Sequence, residues 1–98
     1  MCVLNSTSPK RFDVAPTALI ADDEPLLREI LIARLAQAWP ALLVVAQARN
    51  GQQAVELFEA HLPDICFLDV HMPGLSGIEV ARHSGKRAHL VFVTAHDH

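Results

Sequence analysis

Ninety-eight residues are enough for one domain, and 51% hydrophobic against 19% charged residues is a globular balance rather than a disordered one. A net charge of −3 and a pI near 6.0 argue against nucleic-acid binding by this segment, and no run approaches the ~20 apolar residues of a membrane span. No basic region followed by an apolar core opens the chain, and Cys2 and Cys66 have neither disulfide nor metal spacing, so the expected location is a reducing cytoplasm.

Residues 1–16 mix Ser, Thr, Pro, Lys and Arg without a period and read as a disordered tail, with Pro9 and Pro16 as breakers. Thr17 to Ala21 is an apolar run before acids, suited to a buried strand. Pro25 fits the first turn of a helix, where its missing N–H is not needed. Leu27, Ile30, Leu31 and Leu35 give that helix an apolar face, and Pro40 stops it past Trp39. Leu42 to Ala48 reads as the second strand. Asn50 can cap a second helix and Gln53 can return the bond. Ala54, Leu57, Phe58 and His61 share one face of that helix.

After the break at Leu62-Pro63-Asp64, Ile65 to Leu68 is apolar on both faces, as in a parallel sheet covered on two sides. Met72-Pro73-Gly74 forces a turn, and Ser76-Gly77-Ile78-Glu79 is a capping box for a third helix ending near Gly85. Leu90 to Val93 is the fourth strand, followed by Thr94. Strands and helices alternate, which predicts an α/β fold with a parallel sheet. Cys66, Phe58, Phe67 and Phe92 are expected in the core, Met72 in loop packing and Trp39 partly covered at a helix end. The six histidines have no tetrahedral spacing and read as surface residues.

If the first and third strands are neighbours, Asp22, Asp23 and Asp69 meet at one sheet edge, where α/β sheets bind ligands. Close carboxylates repel unless a cation sits among them, and an oxygen-only donor set suits Mg²⁺. A carboxylate can also be a nucleophile towards phosphorus, and the Thr94 hydroxyl at the end of the fourth strand can donate to phosphoryl oxygens. Read alone, Asp22-Asp23 could instead be acids placed favourably at a helix N-terminus.

In order and spacing, Asp22-Asp23, Asp69 followed by Met72-Pro73-Gly74, and Thr94-Ala95 resemble the receiver domain of bacterial two-component response regulators. The resemblance implies a flavodoxin-like doubly wound parallel sheet of order 2-1-3-4 over residues 17–98. It makes Asp69 the acceptor of a phosphoryl group from a sensor histidine kinase in a phosphorelay. Asp23 becomes the direct ligand of Mg²⁺ (or Mn²⁺), Asp22 a ligand through water, Asp69 itself a further metal ligand, His71 a backbone-carbonyl ligand and Thr94 the switch residue. It also implies an output domain outside this chain, expected to regulate transcription, and Leu90 to His98 is similar to regulators with a LytTR-type DNA-binding output.

Receivers resemble a five-stranded domain, whereas this sequence ends after four strands, without the last two helices and without the family's lysine after strand five. The expectation is a partial receiver, a fragment of a longer regulator, that binds Mg²⁺ weakly and is phosphorylated poorly. Its fourth strand becomes an exposed edge, so self-association or segment exchange is expected there. An aspartate-nucleophile Mg²⁺ phosphohydrolase and a phosphorylation-independent pseudo-receiver are the competing readings. Against the first, Asp69-Val70-His71 lacks the second acid such enzymes carry.

Overall fold

Apolar runs buried on both faces belong at the centre of a sheet, and the runs around Leu19 and Leu68 take that place. The computed structural model describes residues 15–93. It contains, in order, β1 (Thr17–Ala21), α1 (Pro25–Ala38), β2 (Leu43–Ala48), α2 (Gly51–His61), β3 (Ile65–Asp69), α3 (Gly77–Ser84) and β4 (His89–Val93). The sheet is parallel throughout, in the order β2-β1-β3-β4. This is the doubly wound, flavodoxin-like α/β arrangement expected from the sequence. Residues 1–14 of the expected tail at 1–16, the expected switch residue Thr94 and the terminal histidines His96 and His98 lie outside the described residues. At Pro16 the chain is already tied in, its carbonyl accepting the Leu43 N–H at 2.9 Å.

The sheet separates two layers of core. On one face Leu19, Ala21, Ala46, Ala48, Cys66 and Leu68 pack with Ala54 and Phe58 of α2 and Val80 of α3. On the other, Ala18, Ile20 and Phe67 pack against Leu31, Ile32 and Leu35 of α1. Among the described residues no helix is long and apolar enough to cross a membrane.

Local signals explain the helix boundaries. Ser76 Oγ accepts the Glu79 N–H and Glu79 Oε1 accepts the Ser76 N–H, completing the expected capping box. Asn50 Oδ1 accepts the Gln53 N–H at 2.7 Å as expected, but the Gln53 side chain accepts from Arg49 N, one residue before the cap. Met72, in the loop between β3 and α3, packs against the core as expected.

Three side chains depart from the reading. Phe92, expected in the core, is 48% exposed because β4 is the outer strand, with no neighbour beyond it among the described residues. Ile30 is 44% exposed and Ile32 packs in its place, since α1 meets the sheet through Leu31, Ile32 and Leu35. His61 is exposed at the end of α2 rather than sharing its buried face.

Candidate functional site

Register decides where the carboxylates meet. Ala21 of β1 lies opposite Leu68 of β3, so the next residue of each strand, Asp22 and Asp69, emerges at the same level of adjacent strands. One ligand oxygen from each of Asp22, Asp23 and Asp69 lies within 4.8 Å of the others. Asp69 is 3% exposed and Asp22 8%, while Asp23 faces solvent. The convergence on which the sequence reading rested is therefore present.

The backbone holds each acid in place. The Asp22 N–H donates to Ala48 O of β2 at 3.0 Å, and Asp22 Oδ1 accepts the Glu24 N–H at 2.9 Å. Asp69 Oδ1 accepts the His71 N–H at 3.1 Å, which turns the chain sharply after β3 and leaves the His71 side chain exposed.

Burial raises the Asp22 carboxyl above its ordinary 3.8; the Glu24 N–H opposes this, and the charges of Asp69, Asp23 and Glu24 push it further up. The charges acting on Asp22 are all negative, and the donors are carboxylate oxygens. That donor set fits Mg²⁺, which takes one or two carboxylates and keeps several waters.

Two residues that spacing could not reveal shape the site. Gly77, at the start of α3, lets that helix lie against the backbone of Asp69; a Cβ there would sit 2.2 Å from Asp69 O. Its N–H donates to Val70 O at 3.3 Å. The only sequence signal was a glycine just after a helix cap. Arg28 of α1 reaches back to donate from Nη1 to Asp22 O at 2.7 Å.

Away from this edge, Cys66 is fully buried and burial pushes its thiol up to about 11, so it is an inert core residue. His83 and His89 are surface histidines as expected, though His83 Nε2 lies 2.6 Å from Glu59 Oε2.

Known proteins are similar to this chain in sequence and in fold. A response regulatory protein of Vibrio cholerae is 54% identical over 84 residues, covering 83% of this chain and 32% of that protein. The probable transcriptional regulatory protein NarL of Mycobacterium tuberculosis is 38% identical over 82 residues, 81% of this chain and 38% of its own length. The chain thus spans about a third of the length of these relatives. The solved receiver domain of that NarL superposes with a TM-score of 0.74 at 34% identity, covering 87% of this chain and 70% of that one. Response regulator TrrA of Thermotoga maritima, solved with Mg²⁺-BeF, gives a TM-score of 0.73 at 35% identity over 85% of this chain and 72% of its own. The sequence model of the response regulator receiver domain matches residues 18–98, and the chain belongs to that family.

Proposed function

We propose that the chain is a phosphoryl-accepting receiver in which Asp69 is the acceptor, Asp22, Asp23 and Asp69 hold a divalent cation, and the His71 carbonyl completes the protein ligands. The observation that carries this reading is the meeting of three carboxylates, two of them buried, within 4.8 Å. A structural role alone gives no reason to gather like charges in a low-dielectric pocket. Mg²⁺ (or Mn²⁺), when bound there, would neutralise the incoming phosphoryl oxygens.

The chemistry assigned to the chain's own residues is a single transfer. An Asp69 carboxylate oxygen attacks the phosphorus of a phosphohistidine on a sensor kinase. An O–P bond forms, the N–P bond breaks, and the imidazole leaves with its electron pair and takes up a proton. The Asp69–His71 N–H bond fixes the carboxylate so that its other oxygen is the one presented for attack. Thr94 is assigned the switch role, its hydroxyl moving toward the new phosphoryl group. The change is passed to an output domain, expected to bind DNA, in the remaining two thirds of a regulator the length of the relatives. The chain is an acceptor in the cytoplasm rather than a turnover enzyme.

Acetyl phosphate with Mg²⁺ tests the assignment. Slow, Mg²⁺-dependent labelling confined to Asp69 supports it; labelling that survives Asp69→Asn sinks it, and turnover of p-nitrophenyl phosphate favours the hydrolase instead.

The partner assigned to β4 is a second copy of this chain. Val91 and Phe92 are exposed on opposite faces of the strand, and a groove of about 280 Å³ beside it includes Leu27, Ile30, Leu31 and Val93 in its lining, together with two charged residues. An open edge strand is self-complementary across a twofold axis, because antiparallel pairing satisfies both rows of N–H and C=O groups. Sedimentation equilibrium of the 98-residue chain should show a dimer that Val91→Lys returns to monomer. A monomer at every concentration would contradict it.

A further inference from the structure

We infer that Arg28 is a positioning residue for the metal-ligating turn: its guanidinium grips the backbone of Asp22 so that the Asp22 and Asp23 carboxylates stay aimed at the ion. The inference rests on the divalent-cation reading above and extends it to a residue outside the acidic set.

The turn between β1 and α1 has a difficult task. It must present two carboxylates to a third while all three repel one another. Its backbone is tied at both ends. Asp22 N–H donates to Ala48 O, and Glu24 N–H donates to Asp22 Oδ1 at 2.9 Å. The remaining polar group of Asp22, its carbonyl, is taken by Arg28 Nη1 at 2.7 Å. The Arg28 N–H also donates to Glu24 O at 3.1 Å. One residue therefore holds the turn before and after Asp23, once through its backbone and once through a short charge-assisted bond.

The pose of Arg28 carries a visible cost. Its Nε is buried with no hydrogen-bond partner among the described residues. An arginine on a helix surface ordinarily extends its head into water, where every donor is satisfied. Here the guanidinium folds inward and leaves one donor dry in order to reach a carbonyl. Among the described residues it makes no ion pair with the acidic trio, so its contact with the site runs through the backbone.

That distinction gives the test a sign. A cation that merely sits near an anionic pocket competes with Mg²⁺, and its removal tightens metal binding. A residue that positions the ligands does the opposite. The experiment is calorimetric titration of the 98-residue chain with MgCl₂, alongside hydrogen exchange of the Glu24 amide. Variants are Arg28→Met, Arg28→Lys and, as a charge control on the same helix, Arg34→Met. Arg28→Met should weaken Mg²⁺ binding about tenfold, the lower end for partners that orient a metal ligand, and should speed exchange at Glu24. Arg28→Lys, whose ammonium can still donate to the carbonyl, should recover most of both, and Arg34→Met should leave both near wild type. Unchanged or tighter binding by Arg28→Met overturns the inference. If that variant melts below the assay temperature, Arg28→Lys against Arg28→Gln decides it, with the lysine variant expected to bind better and equal binding counting against the role. A wild-type chain that takes no Mg²⁺ fails the cation reading itself, a result separate from equal binding by wild type and variant.

Discussion

Asp64 and Asp69 stand at opposite ends of β3 and lead opposite lives. Asp64 is surrounded by donors: its Oδ2 accepts the Thr17 N–H at 2.8 Å and the Thr17 hydroxyl at 3.2 Å. Its own N–H donates to Thr17, and its carbonyl accepts the His89 N–H at 2.9 Å. It stitches the start of β3 to β1 and β4. Asp69 is more deeply buried, accepts the His71 N–H and faces two further carboxylates. The same side chain serves the fold where donors neutralise it and burdens the fold where like charges meet it. Repulsion of that kind is relieved by a proton or by a cation, and it points to a binding role rather than a structural one.

Asp69→Asn gives the largest expected effect. Phosphoryl transfer from acetyl phosphate should fall to background, while the melting temperature without metal stays the same or rises, since one repelling charge is gone. A fall in stability would mean that Asp69, too, is structural. Asp64→Ala should show the reverse pattern. It strands the Thr17 donors and should cost about 1–3 kcal/mol in urea unfolding, with Mg²⁺ affinity intact in the folded fraction. Loss of metal binding there would blur the division between the two ends.

Gly77→Ala tests the support beneath Asp69. The added methyl has to push α3 off the Asp69 backbone, which should cost about 1–3 kcal/mol or more and weaken Mg²⁺ binding as the carboxylate shifts. Indifference in both measurements would show that α3 is free to move.

The smallest effect is a pH dependence on the α2–α3 surface. Arg87, then His83, hold the exposed Glu59 carboxyl below its ordinary 4.5 by hydrogen bonding. A depressed carboxyl stabilises the folded state above its unfolded value, and that contribution is lost as pH falls through the folded one. Glu59→Gln should therefore melt slightly below wild type near neutrality, and the gap should close on acidification well below 4.5. A gap independent of pH would assign the effect to packing.

The strand-end acids were legible because each follows an apolar run that can only be a buried strand, and parallel strands in this order bring their ends together. The Ser76–Glu79 capping box was legible for the same local reason. What the sequence concealed depends on neighbours. An apolar strand reads alike at the centre and at the edge, so Phe92 passed for core. One member of the α1 face escaped the reading because Ile30 and Ile32 differ only in what lies opposite them. Gln53 has an acceptor within reach of two adjacent amides, and only the backbone path selects Arg49. Gly77 and Arg28 act through close approach to the backbone of another segment, which no spacing encodes.

Whether Asp22, Asp23 and Asp69 form one cation site is tested most directly by Mg²⁺ titration followed by backbone amide NMR. The expected result is a single saturable set of shifts centred on residues 22–24 and 69–71 and abolished by Asp69→Asn. Shifts that never saturate, or that centre on the exposed acids around Glu59, would contradict it.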